Sequence, residues 1–321
     1  MKRIFRMPSM LVLVALLLAQ ITACNRSDSP DRLTQREQSS ARASSPTERI
    51  LDVPYVPTPK GVVDRMLDMA QVGSADIVYD LGCGDGRLII TAAKERGARG
   101  VGIDLNPARI IESNENATKA KVKDRVTFIQ QDLFETDFSE ATVLTLYLLP
   151  QVNLALRPRI LTQMKPGSRV VSHDFDMKEW EPDNVSVIGN SHIYYWVVPA
   201  NFSGIWNLTM NSEKGSSRYS FIIHQNFQEI EGLALSGSSQ KLLKNGRVKG
   251  EILEFTVEQR VDGKVVAGKF EGRIVGNSIQ GTMRRAGENE PSYAWTAERN
   301  PATARPIDGS QKEKGPERQS A

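Results

Sequence analysis

Seven residues, Asp80-Leu81-Gly82-Cys83-Gly84-Asp85-Gly86, carry the spacing best suited to holding a small molecule. Gly82 and Gly84 let the backbone turn tightly and come close to a ligand with no Cβ in the way. A helix starting after the loop would offer its free N–H groups. Many nucleotide folds share that much. Here the spacing is G-x-G-x-G, whereas the dinucleotide fingerprint is G-x-G-x-x-G. An acidic residue, Asp80, also precedes the glycines. A carboxylate there repels a pyrophosphate and suits an ammonium group.

Two further acidic residues fall where the same chemistry needs them. Asp104 closes the apolar run GVGID and can accept hydrogen bonds from both hydroxyls of a ribose. Asp132 follows RVTFIQQ and can receive a purine amino group. Each Asp taken alone reads equally well as a helix cap or turn residue. Together with the loop they point to S-adenosylmethionine as the ligand, in preference to a dinucleotide.

The elements that must position these residues alternate in type. Residues 60–71 space Val62, Val63, Met66, Leu67 and Met69 as a helix does. Residues 77–81 are a short apolar run ending at glycine, hence a buried strand. Helices follow over 87–95 and 107–119, the second with Pro107 at its first turn. Strands are expected over 100–104, 125–132, 141–149 and 168–175, and a helix over 152–164 ends at Pro166-Gly167. Such β-α alternation predicts a Rossmann-like α/β sheet of mainly parallel strands covered by helices, spanning residues 51–200.

Beyond residue 200 the helical signals stop. GIWNLTM, RYSFIIHQ, EIEGLALSG, GEILEFTVEQ, KVVAGKFEG and NSIQGTMRR alternate apolar and polar residues, and VDGK and VGNS read as hairpin turns. Residues 201–298 are therefore expected to form a separate small antiparallel β domain, a meander closing into a barrel or sandwich, with a disordered tail over 299–321. Trp180, Trp196 and Trp206 flank the boundary and are expected to pack it.

The N-terminus reads as an export leader. Lys2, Arg3 and Arg6 precede an apolar core at residues 10–19, too short to span a bilayer comfortably. ITAC, residues 21–24, resembles the lipobox of bacterial lipoproteins, in which cleavage leaves Cys24 as a lipid-bearing N-terminus. Residues 1–23 are then a signal peptide and 24–50 a flexible, Ser- and Arg-rich tether. The expected place is a bacterial membrane, on its periplasmic side. An ordinary signal peptide, or an uncleaved anchor leaving the catalytic part facing the cytosol, remains open.

Removing the leader takes three of the 41 basic residues, leaving 38 basic against 38 acidic. No basic surplus argues for a nucleic-acid partner. Two cysteines, Cys24 and Cys83, do not suggest a disulfide framework, and the three His show no metal-ligand spacing.

Residues 54–183 resemble the seven-stranded class I methyltransferases, and more narrowly the protein-lysine methyltransferases related to those acting on the ATP synthase c-subunit and the adenine nucleotide translocase. PYVPTPKGVVDRML, DLGCGDGR, GVGIDLNP, TLYLLPQVNLALRP and KPGSRVVSHDF carry the resemblance. It implies that Asp80, Gly82, Cys83, Gly84, Asp104 and Asp132 contact adenosylmethionine. Tyr55, Thr58 and Pro59 would lie over the cofactor, and Tyr147, Leu148 and Pro150 would border the acceptor site. The implied partner is a protein whose lysine side chain is methylated.

A lysine ammonium has no lone pair, so it must lose its proton before accepting a methyl group. An apolar channel lowers its pKa by desolvation. No His or Glu stands out as an obligatory base. His173 and Asp174 end the strand over 168–175 and read either as ligand-side residues or as a structural pair. A non-catalytic lipoprotein, using the methyltransferase scaffold and the β domain to bind a ligand or a protein, is the alternative reading.

Overall fold

Short apolar runs and amphipathic stripes alternate along the first half of the chain, and the backbone follows them. The computed structural model describes residues 55–212, 215–261, 264–285 and 292–308. The leader, Cys24 and the tether therefore lie outside the described residues.

Helix α1 (Lys60–Met69) buries Val62, Val63, Met66 and Leu67, the stripe that the sequence spacing predicts. Then come β1 (Ile77–Leu81), α2 (Arg87–Arg96), β2 (Arg99–Asp104), α3 (Pro107–Ala120), β3 (Val126–Gln130), β4 (Val143–Leu146), α4 (Pro150–Gln163) and β5 (Arg169–His173). Helix α3 starts cleanly because the Asn106 side chain accepts the Ala108 amide at 2.9 Å and Pro107 fills the first turn. Two further strands, β6 (Asn184–Ile188) and β7 (Ser191–Val197), complete the sheet.

The strand order is β3-β2-β1-β4-β5-β7-β6. The first five strands run parallel, β7 runs antiparallel to β5, and β6 pairs antiparallel with β7. The chain order reverses between β1 and β4, so the crevice at their carboxyl ends is where a ligand belongs in such a sheet. Apolar layers cover both faces. Val78, Val171 and Ile193 pack with α1 and α2 on one side; Leu144, Val170 and Trp196 pack with α4 on the other.

The second half forms β8 (Gly204–Ser212), β9 (Gly215–Asn226), β10 (Glu229–Ser236), β11 (Ser239–Lys249), β12 (Ile252–Val261), β13 (Lys264–Val275), β14 (Ser278–Arg285) and β15 (Ser292–Arg299). Each strand pairs with the next, and β15 pairs back onto β8, giving a closed eight-stranded barrel. Its interior is filled with side chains. Phe255 and Phe270 stack with ring centroids 4.8 Å apart, Phe221 meets both edge-on, and Trp295 covers the end of the cluster. A Cβ on Gly281 would come within 2.5 Å of the Trp295 ring, so that strand yields its side-chain space to the indole.

The barrel docks where β5 begins, at the opposite end of the sheet from His173. Gly250 lies against Gly167, and the Ala200 amide donates to Gly250 O at 2.8 Å. Phe227 stacks on Trp180 at 6.1 Å, and the Arg157 guanidinium lies 4.9 Å from the Phe227 ring. Gln228 Nε2 donates to Glu181 O at 2.6 Å, and Arg247 pairs with Asp183 at 2.9 Å. Trp180 and Trp196 do pack this junction, 5.8 Å apart. Trp206 does not: it belongs to the barrel core, with its Nε1 donating to Phe202 O at 2.8 Å.

The chain is not a disordered tail from residue 299 on: residues 299–308 are ordered. Arg299 ends β15, a 3-10 turn follows at Pro301–Thr303, and buried Ile307 accepts the Phe227 amide at 2.8 Å. Residues 309–321 lie outside the described residues. No described helix is long and apolar enough to cross a membrane.

Candidate active site

At the switch point, strand ends and the glycine loop enclose a cavity of about 230 Å³. Asp80, Gly82, Cys83, Gly84, Asp104 and Asp132 line it, as do Tyr55, Thr58, Tyr147 and Leu148. Two expected residues do not. Pro59 caps the start of α1, where its carbonyl accepts the Val62 and Val63 amides at 3.0 Å, and Pro150 occupies the first turn of α4. In both, the fixed proline φ starts a helix, and the cavity wall is built by the residues beside them.

The loop holds its shape through Asp104. Its Oδ2 accepts the Gly84 amide and its Oδ1 accepts the Asn106 amide, both at 2.9 Å. Gly84 has a φ of 53°, and a Cβ there would lie 2.3 Å from Tyr55 Cε2. Tyr55 thus rests directly on the glycine, with Arg109 over the ring at 4.5 Å. On the far strand Asp132 Oδ1 accepts the Phe134 amide at 2.8 Å, which fixes the turn after β3.

Sequence reasoning missed the clamp between Asp85 and Arg87. Arg87 Nη2 lies 2.6 Å from Asp85 Oδ2, and Arg87 Nη1 donates to Thr58 O at 2.9 Å. The pair ties the segment before α1 to the glycine loop. Burial works against the Asp85 carboxylate, but Arg87 outweighs it and holds the pKa below the ordinary value. The sequence holds only a weak signal for this, an i,i+2 acid–base pair on either side of the third loop glycine. Arg109, Asn106 and Phe175 also line the cavity without having been singled out.

Burial pushes the Asp80 carboxyl up to about 7. The Thr145 hydroxyl, donating at 2.8 Å, works the other way, and the charges of Asp104 and Asp85 add to the rise. Such a group is poised to ionise when a cation arrives. Burial also raises the Cys83 thiol, with Asp80 and Asp104 adding to it, so Cys83 is an uncharged wall residue.

At the other end of the cavity the Tyr147 ring lies 3.9 Å from that of His173 and 6.3 Å from that of Phe175. His173 is 1% exposed. Burial lowers its pKa against the pull of Asp174. Its nitrogens meet Thr58 Oγ1 at 3.3 Å and Ser191 Oγ at 2.9 Å, so it stands mainly as a fixed support.

The donor set fits adenosylmethionine. Four carboxylates, Asp80, Asp85, Asp104 and Asp132, face one cavity, and the two lining arginines are occupied: Arg87 by Asp85, and Arg109 by Glu112 at 2.6 Å and by the Tyr55 ring. The lining thus carries more carboxylates than guanidinium groups, which favours a cation. The two glycines leave the backbone open to close approach. Among the described residues no group of three or more His, Cys, Asp and Glu is placed to hold a metal ion.

Comparison with known proteins agrees with this geometry. Residues 80–184 match the family described as the ANTKMT methyltransferase domain. A protein-lysine N-methyltransferase of Saccharolobus islandicus is 48% identical over 151 residues, 46% of this chain and 94% of that protein. An ATP synthase c-subunit lysine N-methyltransferase of Xenopus laevis is 33% identical over 141 residues, 44% of this chain and 62% of that protein. A crystal structure described as an RNA methyltransferase from Salinibacter ruber with S-adenosyl-L-homocysteine is 54% identical, covers 46% of this chain and 96% of its own, and has a TM-score of 0.45. The chain belongs to the S-adenosylmethionine-dependent protein-lysine N-methyltransferases with an ANTKMT-type domain.

Proposed function

We propose that this enzyme methylates a lysine side chain of a protein at a bacterial membrane, to which lipid on Cys24 attaches it on the periplasmic side. The observation that carries the catalytic part is the single cavity joining Asp80, Asp104 and Asp132 to an aromatic and apolar mouth of Tyr147, Leu148 and Phe175. Bound adenosylmethionine supplies a methyl group on a sulfonium that already leaves readily. The protein's task is therefore alignment and control of the acceptor's proton.

Each wall has a share in that task. Asp104 offers its remaining lone pairs to ribose hydroxyls while it fixes the loop, and Asp80 balances an ammonium. Leu148, Leu149 and Phe175 exclude water at the mouth. A lysine amine there loses the solvation that favours its charged form, so its pKa falls from about 10.4 toward neutrality. No described side chain needs to act as a strong base if the proton passes to water as the amine enters the apolar mouth and loses its solvation.

The membrane part rests on the order basic start, apolar core, ITAC in residues 1–24. Fractionation tests it: the wild-type protein is expected with membranes, and Cys24→Ala in the soluble fraction. Labelled methyl transfer followed by hydrolysis to amino acids tests the catalytic part. Methyl-lysine is the expected product, and label confined to RNA would overturn the reading.

A further inference from the structure

Residues Tyr55 to Thr58 form an irregular strap just before α1, and all four line the cavity. Tyr55 and Val56 are also 45% and 55% exposed, so the strap is a single layer between the cavity and water. Pro57 and Pro59 fix φ on either side of Thr58, which stiffens it. Its base is held by α1, whose Val62, Val63, Met66 and Leu67 are buried. Its tip rests on the glycine loop, with the Tyr55 ring against Gly84 and the Arg109 guanidinium 4.5 Å from the ring centroid. From the loop, one side chain reaches back to the strap. Arg87 Nε donates to Asp85 Oδ1 at 2.9 Å, and Nη2 donates to Oδ2 at 2.6 Å. This bidentate pairing fixes the guanidinium plane and leaves Nη1 to donate to Thr58 O at 2.9 Å. Asp85 is itself held, its carbonyl accepting Asn116 Nδ2 at 3.0 Å. Thr58 Oγ1 meets His173 Nδ1 at a longer 3.3 Å.

We propose that Arg87 is a positioning residue that latches this strap shut, and that adenosylmethionine enters, and adenosylhomocysteine leaves, when the latch opens. This rests on the assignment of the cavity to adenosylmethionine and on nothing about the acceptor. The Arg87 charge is engaged by Asp85, so its contribution to the strap is one directed hydrogen bond. Both partners of that bond belong to the protein. Breaking it therefore raises the open population of the free and the loaded protein alike. The consequence is kinetic: the cofactor enters faster and leaves faster by the same factor, and the dissociation constant barely moves. Loss of a residue that touches the cofactor or supports the pocket has another signature, faster release with association unchanged or slower. Lysine at this position keeps a charge beside Asp85. As a point donor on a flexible stem it does not hold two carboxylate oxygens and a carbonyl in one fixed plane.

The test uses the full mature protein, immobilised for surface plasmon resonance, with S-adenosylmethionine as the probe. In Arg87→Lys the association and dissociation rate constants are both expected to rise roughly tenfold, the worth of one hydrogen bond to a charged group, while their ratio stays within about twofold of the wild type's. Faster release with association unchanged or slower would overturn the proposal, and so would two rates equal to the wild type's. Should Arg87→Lys fail to fold, Pro57→Gly decides. It leaves the latch in place but loosens the strap's backbone, so the closed form costs more chain entropy. Both rates should then rise severalfold, and wild-type rates in that variant would overturn the proposal. A wild-type protein that binds no S-adenosylmethionine contradicts the assignment of the cavity, and the latch falls with it. A wild type that binds, beside an Arg87→Lys protein with the same rates, contradicts the latch alone.

Discussion

Asp104 accepts the Gly84 amide through Oδ2 and the Asn106 amide through Oδ1, both at 2.9 Å. One carboxylate thus joins the glycine loop to the start of α3. Asp104→Asn replaces one acceptor oxygen by a donor that faces an N–H. Losing a charge-assisted bond of this kind costs about 1.5–3 kcal/mol. Adenosylmethionine affinity should fall by one to two orders of magnitude, measured by titration calorimetry, while the circular dichroism spectrum stays that of the wild type.

Asp80 predicts a pH dependence of binding. Its folded-state pKa is about 7, above the ordinary 3.8. The ligand-free fold therefore holds this proton more tightly than the unfolded chain does. The group's contribution to stability is fully present below about pH 4 and is lost as pH rises through about 7. A cationic ligand has the opposite preference, because it needs the carboxylate ionised. Affinity should rise severalfold from pH 6 to about 7.5, with proton release on binding, before the ligand's own ammonium deprotonates near 8. Asp80→Asn should bind more weakly and lose the rise. Calorimetry in two buffers of different ionisation enthalpy measures both.

Gly84 carries Tyr55 on its face, so Gly84→Ala drives a methyl group to within 2.3 Å of the ring. The backbone also sits at a positive φ, which costs an L-residue about 1–2 kcal/mol. Tyr55 must swing off the loop. Adenosylmethionine binding should be lost while the barrel is undisturbed, which tryptophan fluorescence and a binding titration would show together.

Phe227 joins the barrel to the methyltransferase sheet. It is 1% exposed between Trp180 and Arg157. Phe227→Ala should destabilise by about 3–5 kcal/mol. Calorimetric melting should show a midpoint lowered by on the order of 10 °C, or two separated transitions. Cofactor binding at temperatures below the first transition should be unchanged, because no described residue beyond Phe175 lines the cavity.

Much of this was legible in the sequence because the signals were local. Val62, Val63, Met66 and Leu67 announce α1 by spacing alone, and Asp80, Asp104 and Asp132 fall at three successive strand ends. The alternation after residue 200 predicts the barrel strands. What escaped was set by distant partners or weak pattern. Strand β6 is an exposed edge: Val185 and Val187 alternate with Asn184 and Ser186 but face solvent, so the alternation reports no buried face. Arg87 reaches Thr58, 29 residues away, and no spacing rule reports such a contact. Pro59 and Pro150 misled because a proline beside a cavity and a proline starting a helix look alike in one dimension. Trp206 sits near the domain boundary in sequence but turns inward to the barrel core.

The decisive experiment is titration of the purified mature protein with S-adenosylmethionine by calorimetry, followed by labelled methyl transfer to lysine in the same sample. A single binding site of micromolar affinity or better is expected, weakened by Asp80→Asn and by Asp104→Asn, with label recovered as methyl-lysine. A protein that is folded yet shows no binding at high micromolar cofactor would contradict the assignment of this cavity to adenosylmethionine.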